Sequence, residues 1–306
     1  MGQSLDAVLT ALRAAAEPTR LRLLALLAQA ELTVSEICLV VGQSQPRVSR
    51  HLKLLCDAQL LDRFREQHFV YYRAPVAGPG RAVLEELLGL VARDDEILVR
   101  DRTRLERLIA ARGERAASDL QGGTLGVVES GSDEIGAFVV AELSSEPMGR
   151  VLDVGTGAGH LLKAFAPSAS RAIGIDISSD ALRLARSNVH GAGFSQCELQ
   201  RGDMYDLPFA PGSFDTVAMD RVLAGAEQPF AALSEAARVL DRRGRLIVID
   251  DFDALSDASQ GNPIALLRQW FDKLGLTCER IRPVDTHGAH LLLAIARRVV
   301  TGLKAA

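Results

Sequence analysis

Val151-Leu152-Asp153-Val154-Gly155-Thr156-Gly157-Ala158-Gly159 decides the fold of the larger part of this chain. An apolar run of strand length ends in three glycines at alternate positions, and a helical segment, His160–Ala166, follows at once. Glycines there let the backbone turn tightly and approach a ligand closely. The spacing is G-x-G-x-G, and His160 stands where a dinucleotide fingerprint would carry its last glycine. That weakens a pyrophosphate ligand and favours one without it. Working outward, Ala172–Ile177 is a second apolar run, followed by a helix at Ser179–His190. A strand at Phe214–Met219, a helix at Pro229–Leu240 and a strand at Arg245–Asp250 continue the alternation. Strands alternating with helices predict a doubly wound α/β domain with a mostly parallel sheet. Pro263–Leu274 reads as a helix, and Thr277–Val284 with His290–Arg297 as a closing hairpin. Asp176 ends the second strand, where a carboxylate can accept both hydroxyls of a ribose. Gly202-Asp203-Met204 places an acid and an apolar side chain one strand further on, suited to the amino group and face of an adenine.

The first hundred residues have a different texture. Leu5–Ala16, Thr19–Ala30, Thr33–Val41 and Gln45–Ala58 read as helices. Pro18 suits a first helical turn, Thr33 with Glu36 forms a capping box, Gly42 stops a helix and Ser44 caps the next. Leu60–Phe64 and Phe69–Tyr72 flank Arg65-Glu66-Gln67-His68 as a hairpin. A helix, a tight turn and a second helix form a helix-turn-helix, and the hairpin supplies a wing. The second helix carries Gln43, Ser44, Gln45, Arg47, Ser49, Arg50, His51 and Lys53 at its start, with Val48, Leu52 and Leu55 as its buried face. Such a helix enters the major groove, where Gln and Arg make bidentate contacts to bases. Arg65 lies on the wing, which can reach the backbone or the minor groove. A helical interaction domain with a solvated basic face is the alternative. Arg81–Arg112 reads as one long helix with Leu84, Val91, Leu98 and Leu105 seven apart, interrupted by Asp94 and Asp101. That is an imperfect seam for a second subunit, or an amphipathic helix packed on its own domain. Gly113–Gly131 reads as a linker or entry loop.

Composition narrows the classes. The 306 residues carry 35 Lys+Arg and 39 Asp+Glu, enough length for about two domains. Residues 1–120 hold 17 basic against 16 acidic side chains, and the remainder 18 against 23. Within Gln43–Arg73 the ratio is six to three, a local basic segment on an acidic chain. This favours a directed anionic contact over general coating of nucleic acid. No apolar run reaches the ~18–20 residues of a membrane span, and the start does not read as a signal peptide. Cys38, Cys56, Cys197 and Cys278 form no CxxC pair, which argues against a zinc ribbon or disulfide scaffold and for a reducing cytoplasm.

Four segments in order, Ala16–Leu24, Leu32–Ile37, Ser44–Leu55 and Leu60–Arg63, resemble the ArsR-type winged-helix repressors. That likeness covers roughly residues 5–110 and implies a homodimer on double-stranded operator DNA. It departs in one respect. Thr33 and Ser35 stand where metal-sensing members carry Cys-x-Cys, and Arg81–Arg112 has no His. No metal is therefore expected. The glycine loop, Asp176, Gly202-Asp203-Met204, Ser213–Val217 and Arg238–Leu246 resemble the class I S-adenosylmethionine-dependent methyltransferases. The likeness implies a site for S-adenosylmethionine or S-adenosylhomocysteine made by Asp153, Gly155, Thr156, Gly157, Gly159, Asp176, Ile177, Asp203, Met204 and Asp220. In it the glycines lie under the methionyl-ribose part, and Asp220 near the methionyl end. Met219-Asp220-Arg221-Val222 replaces the Pro-Pro-aromatic motif of DNA amino-methyltransferases, and Val222-Leu223-Ala224-Gly225 lacks the paired His of many small-molecule relatives. No catalytic base is assigned, and His287 with His290 reads as flanking a turn.

The expected division is 1–76 winged helix, 77–120 dimerisation or linker helix and 121–306 ligand-binding domain. The expected function is a cytoplasmic transcriptional repressor with an S-adenosyl effector. An active small-molecule methyltransferase with an autoregulatory DNA-binding domain is the alternative, and a methyltransferase using the winged helix only to dimerise is a third reading.

Overall fold

The computed structural model describes residues 4–66, 69–75, 78–92, 94–121, 132–143, 147–194, 196–259, 261–286 and 289–298. They form two units. The first comprises residues 1–117 together with 186–196, and the second residues 118–185 and 197–306.

In the first unit α1 (Leu5–Ala15), α2 (Pro18–Leu27), α3 (Val34–Val41) and α4 (Gln45–Asp57) are followed by β2 (Asp62–Glu66) and β3 (Phe69–Arg73). A two-residue strand β1 (Leu32–Thr33) lies against β3, giving the sheet order β1-β3-β2. The local signals explain these boundaries. Pro18 occupies the first turn of α2, whose missing N–H costs nothing there. Thr33 and Glu36 complete the expected capping box, and Gly42 adopts the left-handed conformation that ends α3. Leu23, Leu24, Leu27, Ile37, Val48, Leu52 and Leu55 make the core.

Several expectations need correction here. Arg81–Arg112 is two helices, α5 (Pro79–Gly89) and α6 (Glu96–Gln121). The break arises because the Asp95 carboxylate accepts from the N–H groups of Ile97 and Leu98, capping a new helix rather than continuing the old one. Leu84 and Leu105 are buried in this unit's own core, so they are not available as a seam. Asp101 is no loose interruption either, because it is buried against Arg22. Residues 113–121 belong to α6 rather than to a linker, and 122–131 lie outside the described residues. Ser44 makes no side-chain cap, since Pro46 removes one of the donors such a cap takes. Arg65 and Glu66 continue β2, and the residues between β2 and β3 are outside the described ones.

The second unit contains α7 (Ser132–Glu142), β4 (Gly149–Val154), α8 (His160–Phe165), β5 (Ala169–Asp176) and α9 (Ser179–Gly191), whose last residues, from 186, count with the first unit. It continues with β6 (Cys197–Arg201), β7 (Phe214–Asp220), α10 (Pro229–Val239), β8 (Leu240–Asp251), α11 (Phe252–Ser259) and α12 (Pro263–Lys273). A hairpin, β9 (Leu276–Thr286) and β10 (Ala289–Arg298), ends the described chain. The sheet order is β6-β5-β4-β7-β8-β10-β9, with β10 antiparallel to both neighbours and the other six strands running in one direction. The chain moves outward from β4 through β5 and β6, then returns to the far side of β4 as β7. This reversal opens a crevice at the carboxyl ends of β4 and β7. Leu152, Val154, Val217, Met219, Leu246 and Val248 bury the sheet interior. The strand β1 and helices α7 and α11 were not expected from sequence. His290 is the second residue of β10, close to the connection from β9, and His287 lies outside the described residues.

Candidate functional site

The end of β4 places Asp153 under the glycine loop, almost fully buried. Thr156 Oγ1 donates to Asp153 Oδ2 at 2.6 Å. Burial pushes this carboxyl up to about 7, against the opposing Thr156 bond, and the nearby charges of Asp220 and Asp176 add to the rise. Gly155, Gly157 and Gly159 all have positive φ, at 70°, 52° and 78°. At Gly155 the requirement is also spatial, since a Cβ would lie 2.6 Å from Val222 Cγ2. The loop is drawn over β5 by the Thr156 N–H donating to Ile175 O at 2.8 Å. Gly174 permits this, because a Cβ there would lie 2.8 Å from Thr156 Oγ1.

Asp176 closes the other wall. Its Oδ2 accepts from Gly157 N–H at 2.9 Å and its Oδ1 from Ser178 N–H at 2.8 Å. Each carboxylate oxygen keeps a further acceptor position for a diol. Ile177 beside it is 62% exposed, an apolar side chain offered to solvent at the crevice. Gly202 N–H donates to Asp176 O at 3.1 Å, which brings the 202–206 turn to the same edge. Within that turn Asp203 Oδ1 accepts from Tyr205 N–H at 2.9 Å, while Met204 is half-buried against the core. Asp220 ends β7 and is ion-paired at 3.2 Å with its neighbour Arg221. All ten residues expected to hold a ligand therefore stand at the carboxyl ends of β4, β5, β6 and β7.

Two residues of this edge escaped the sequence reading. Arg221 has φ of 54°, unusual for a residue with a side chain, and its N–H donates to Ile249 O at 2.7 Å. Asp250 near the end of β8 is buried and accepts from the N–H groups of Leu223 and Ala224, so it braces the segment after β7. Burial pushes it up to about 6, against those backbone bonds, with the Asp220 charge adding. Nothing local marks Arg221. Asp250 could have been found as an acid ending an otherwise apolar strand.

The cradle fits a nucleoside with a charged tail. Three left-handed glycines keep their part of the loop clear of side chains, and above Gly157 a Cβ would meet nothing nearer than 4.0 Å. Asp176 and Asp203 supply carboxylates, and Ile177 and Met204 apolar faces. Among the described residues no group of three or more His, Cys, Asp or Glu is placed to hold a metal ion.

In the first unit, α4 presents Gln45, Arg47, Arg50 and Lys53 to solvent, with Ser44 at its start and Ser49 half-buried between them. Arg65 is exposed on β2. Two expected members are turned elsewhere. Gln43 Nε2 donates to Thr19 Oγ1 at 3.1 Å, and His51 Nδ1 lies 3.8 Å from Glu17 Oε2.

A family model described as a methyltransferase domain matches residues 145–287, and one described as bacterial regulatory protein, arsR family, matches residues 17–63. The chain is 34% identical over 103 residues to an uncharacterized methyltransferase of Bacillus subtilis (strain 168), covering 34% of this chain and 41% of that protein. It is 30% identical over 117 residues to a ubiquinone/menaquinone biosynthesis C-methyltransferase of Geotalea daltonii, covering 37% of this chain and 50% of that one. The chain thus spans half or less of the length of these relatives. A solved SAM-dependent methyltransferase from Aquifex aeolicus superposes with a TM-score of 0.50 at 20% identity, over 60% of this chain and 98% of the other. That likeness concerns the fold alone.

Proposed function

The chain joins an arsR-family helix-turn-helix to a Rossmann-like methyltransferase domain, and from that premise we propose a DNA-binding transcriptional repressor whose second domain takes S-adenosylmethionine or S-adenosylhomocysteine as effector. The carrying observation is the solvent-facing row Gln45, Arg47, Arg50 and Lys53 on α4. A helix serving only subunit contact has no need of three cations beside one amide on its open face. Double-stranded operator DNA is the partner, read by Arg47 and Arg50 at base edges, with Gln45 and Ser49 beside them and Arg65 reaching from the wing. The division into 1–76, 77–120 and 121–306, a homodimer and a cytoplasmic location belong to this reading. Asp176 holds the ribose, Asp203 and Met204 the adenine, and Asp220 faces the methionyl end.

Gel-shift titration on the DNA upstream of the gene tests it. Losing either Arg is expected to cost roughly 1–3 kcal/mol and relax specificity, while Lys53→Ala weakens all sequences alike. Unchanged affinity in an Arg47→Ala/Arg50→Ala double variant would sink the assignment. A second reading, a small-molecule methyltransferase that also regulates its own expression, is favoured by relatives named as methyltransferases. Methyl transfer from labelled S-adenosylmethionine into a cell extract would favour it.

A further inference from the structure

Arg186 is the largest fully buried side chain described, with none of its surface exposed. Its Nε donates to Glu31 Oε2 at 2.8 Å, and its Nη2 donates to Glu66 Oε2 at 2.6 Å. The guanidinium carbon lies 4.4 Å from the centre of the Tyr71 ring. Glu31 is also held by Arg73 Nη1 at 2.9 Å. Glu31 precedes β1, Glu66 ends β2, and Tyr71 and Arg73 lie on β3, so one cation ties the whole small sheet together. All of these groups belong to the first unit.

Taking a guanidinium and two carboxylates out of water is repaid only where geometry and hydrogen bonding are nearly complete. Such a cluster has discrete arrangements rather than a continuum, because a half-broken version leaves a buried charge unpaired. The strand it grips, β2, also carries Arg65, and Glu66 is its last residue before the wing tip. The neighbours of Arg186 hold the same unit elsewhere. Ser187 Oγ donates to Ile109 O of α6 at 2.7 Å, and the Glu31 N–H donates to His190 Nδ1 at 3.4 Å. Helix α9, which carries all three, starts at Ser179, directly after the Ser178 N–H that Asp176 Oδ1 accepts. Arg186 lies seven residues beyond Ser179, roughly 10 Å along the helix.

We propose that Arg186 is a clamp on the wing, through which an S-adenosyl ligand at Asp176 shifts α9 and so resets the wing strands and operator affinity. This rests on the regulator reading above and names how that regulation works. A ligand that engages Asp176 alters the group holding the start of α9. A helix moves as a rigid element, so Arg186 moves with it or releases Glu66. Glu31 keeps Arg73 in either state, which makes Glu66, and with it β2, the side that yields.

Amide hydrogen exchange of residues 62–66 and 69–73, measured on the full chain with and without S-adenosylhomocysteine, tests the clamp. Operator affinity is measured under the same conditions, and ligand affinity by calorimetry. Two variants are compared with the native chain: Glu66→Gln, which keeps a hydrogen bond, and Arg186→Met/Glu66→Met, which removes both charges while Arg73 retains Glu31. In the native chain the ligand is expected to change wing exchange and operator affinity by at least about five-fold, the low end of ordinary allosteric coupling. In the variants ligand affinity stays within about two-fold and both responses fall below two-fold. Wing exchange indifferent to ligand in the native chain overturns the clamp, as do variants that respond like the native chain. If the double variant fails to fold, Glu66→Gln decides. A native chain that shows the Glu66-dependent wing response yet binds no operator supports the clamp and rejects the regulator reading.

Discussion

Asp153 shows what one buried carboxyl does to the pH dependence of the whole domain. Burial raises it from the ordinary 3.8 to about 7, so the folded protein keeps this proton to a pH where the unfolded chain has lost it. Between those values the native state binds more protons, and stability falls as pH rises, by up to about 1.4 kcal/mol per pH unit. Asp250, raised to about 6, adds a fall in the same direction over a narrower window. Asp153→Asn keeps an acceptor for Thr156 and removes the titration. Denaturant unfolding between pH 4.5 and 7 is expected to give a shallower decline for that variant, and equal slopes would refute the assignment. At this scale the glycine loop and the acids following it were legible, because turn chemistry and strand ends leave local marks. Arg221 was not, because its backbone bond to Ile249 leaves no local mark, and Asp250 was marked only as an acid ending an apolar strand, with nothing to tell that it accepts from the segment after β7.

Helix α6 is the element that sequence described least well. Its heptad-like leucines suggested one continuous rod, yet Asp95 starts a new helix, and Leu105 with Ile109 buries in the core of its own unit. Three cation contacts fasten the helix there. Arg22 pairs with Asp101 at 2.6 Å, Arg104 Nη1 donates to Val40 O at 3.0 Å, and Arg112 pairs with Glu36 at 2.6 Å. The Asp101 carboxylate is 5% exposed and Arg22 19%, so the pair is only partly screened. Asp101→Ala is expected to lower stability by about 2–3 kcal/mol, below the ~3–5 kcal/mol of a fully enclosed pair. Calorimetric unfolding checks this, and a loss under 0.5 kcal/mol would contradict it. Apolar spacing tells that a face is buried but not against what. That is why Leu84 and Leu105 were equally compatible with a partner subunit or with the core they actually fill. The capping box at Thr33 was readable because both of its bonds lie within four residues.

At the scale of the molecule, the change of texture near residue 150 announced an α/β sheet, and the helix-turn-helix was readable from its turn and caps. The membership of residues 186–196 in the first unit was not, since Arg186 meets Glu66 across 120 residues and Glu31 across 155. A fragment ending at Ala117 leaves both carboxylates without that cation. It is expected to unfold at clearly lower denaturant than the first unit of the full chain, and equal midpoints would show that the cluster contributes nothing. The same arrangement bears on how the protein is made. A ribosome delivers residues 1–117 about 70 residues before Arg186 appears, several seconds at ~5–20 residues per second. During that interval Glu31 has Arg73 as its partner and Glu66 lacks the guanidinium it meets in the finished unit, so the small sheet closes less tightly. The first unit therefore reaches its full stability only after the strands of the second have begun to emerge, and a message broken before codon 186 yields a weakened one.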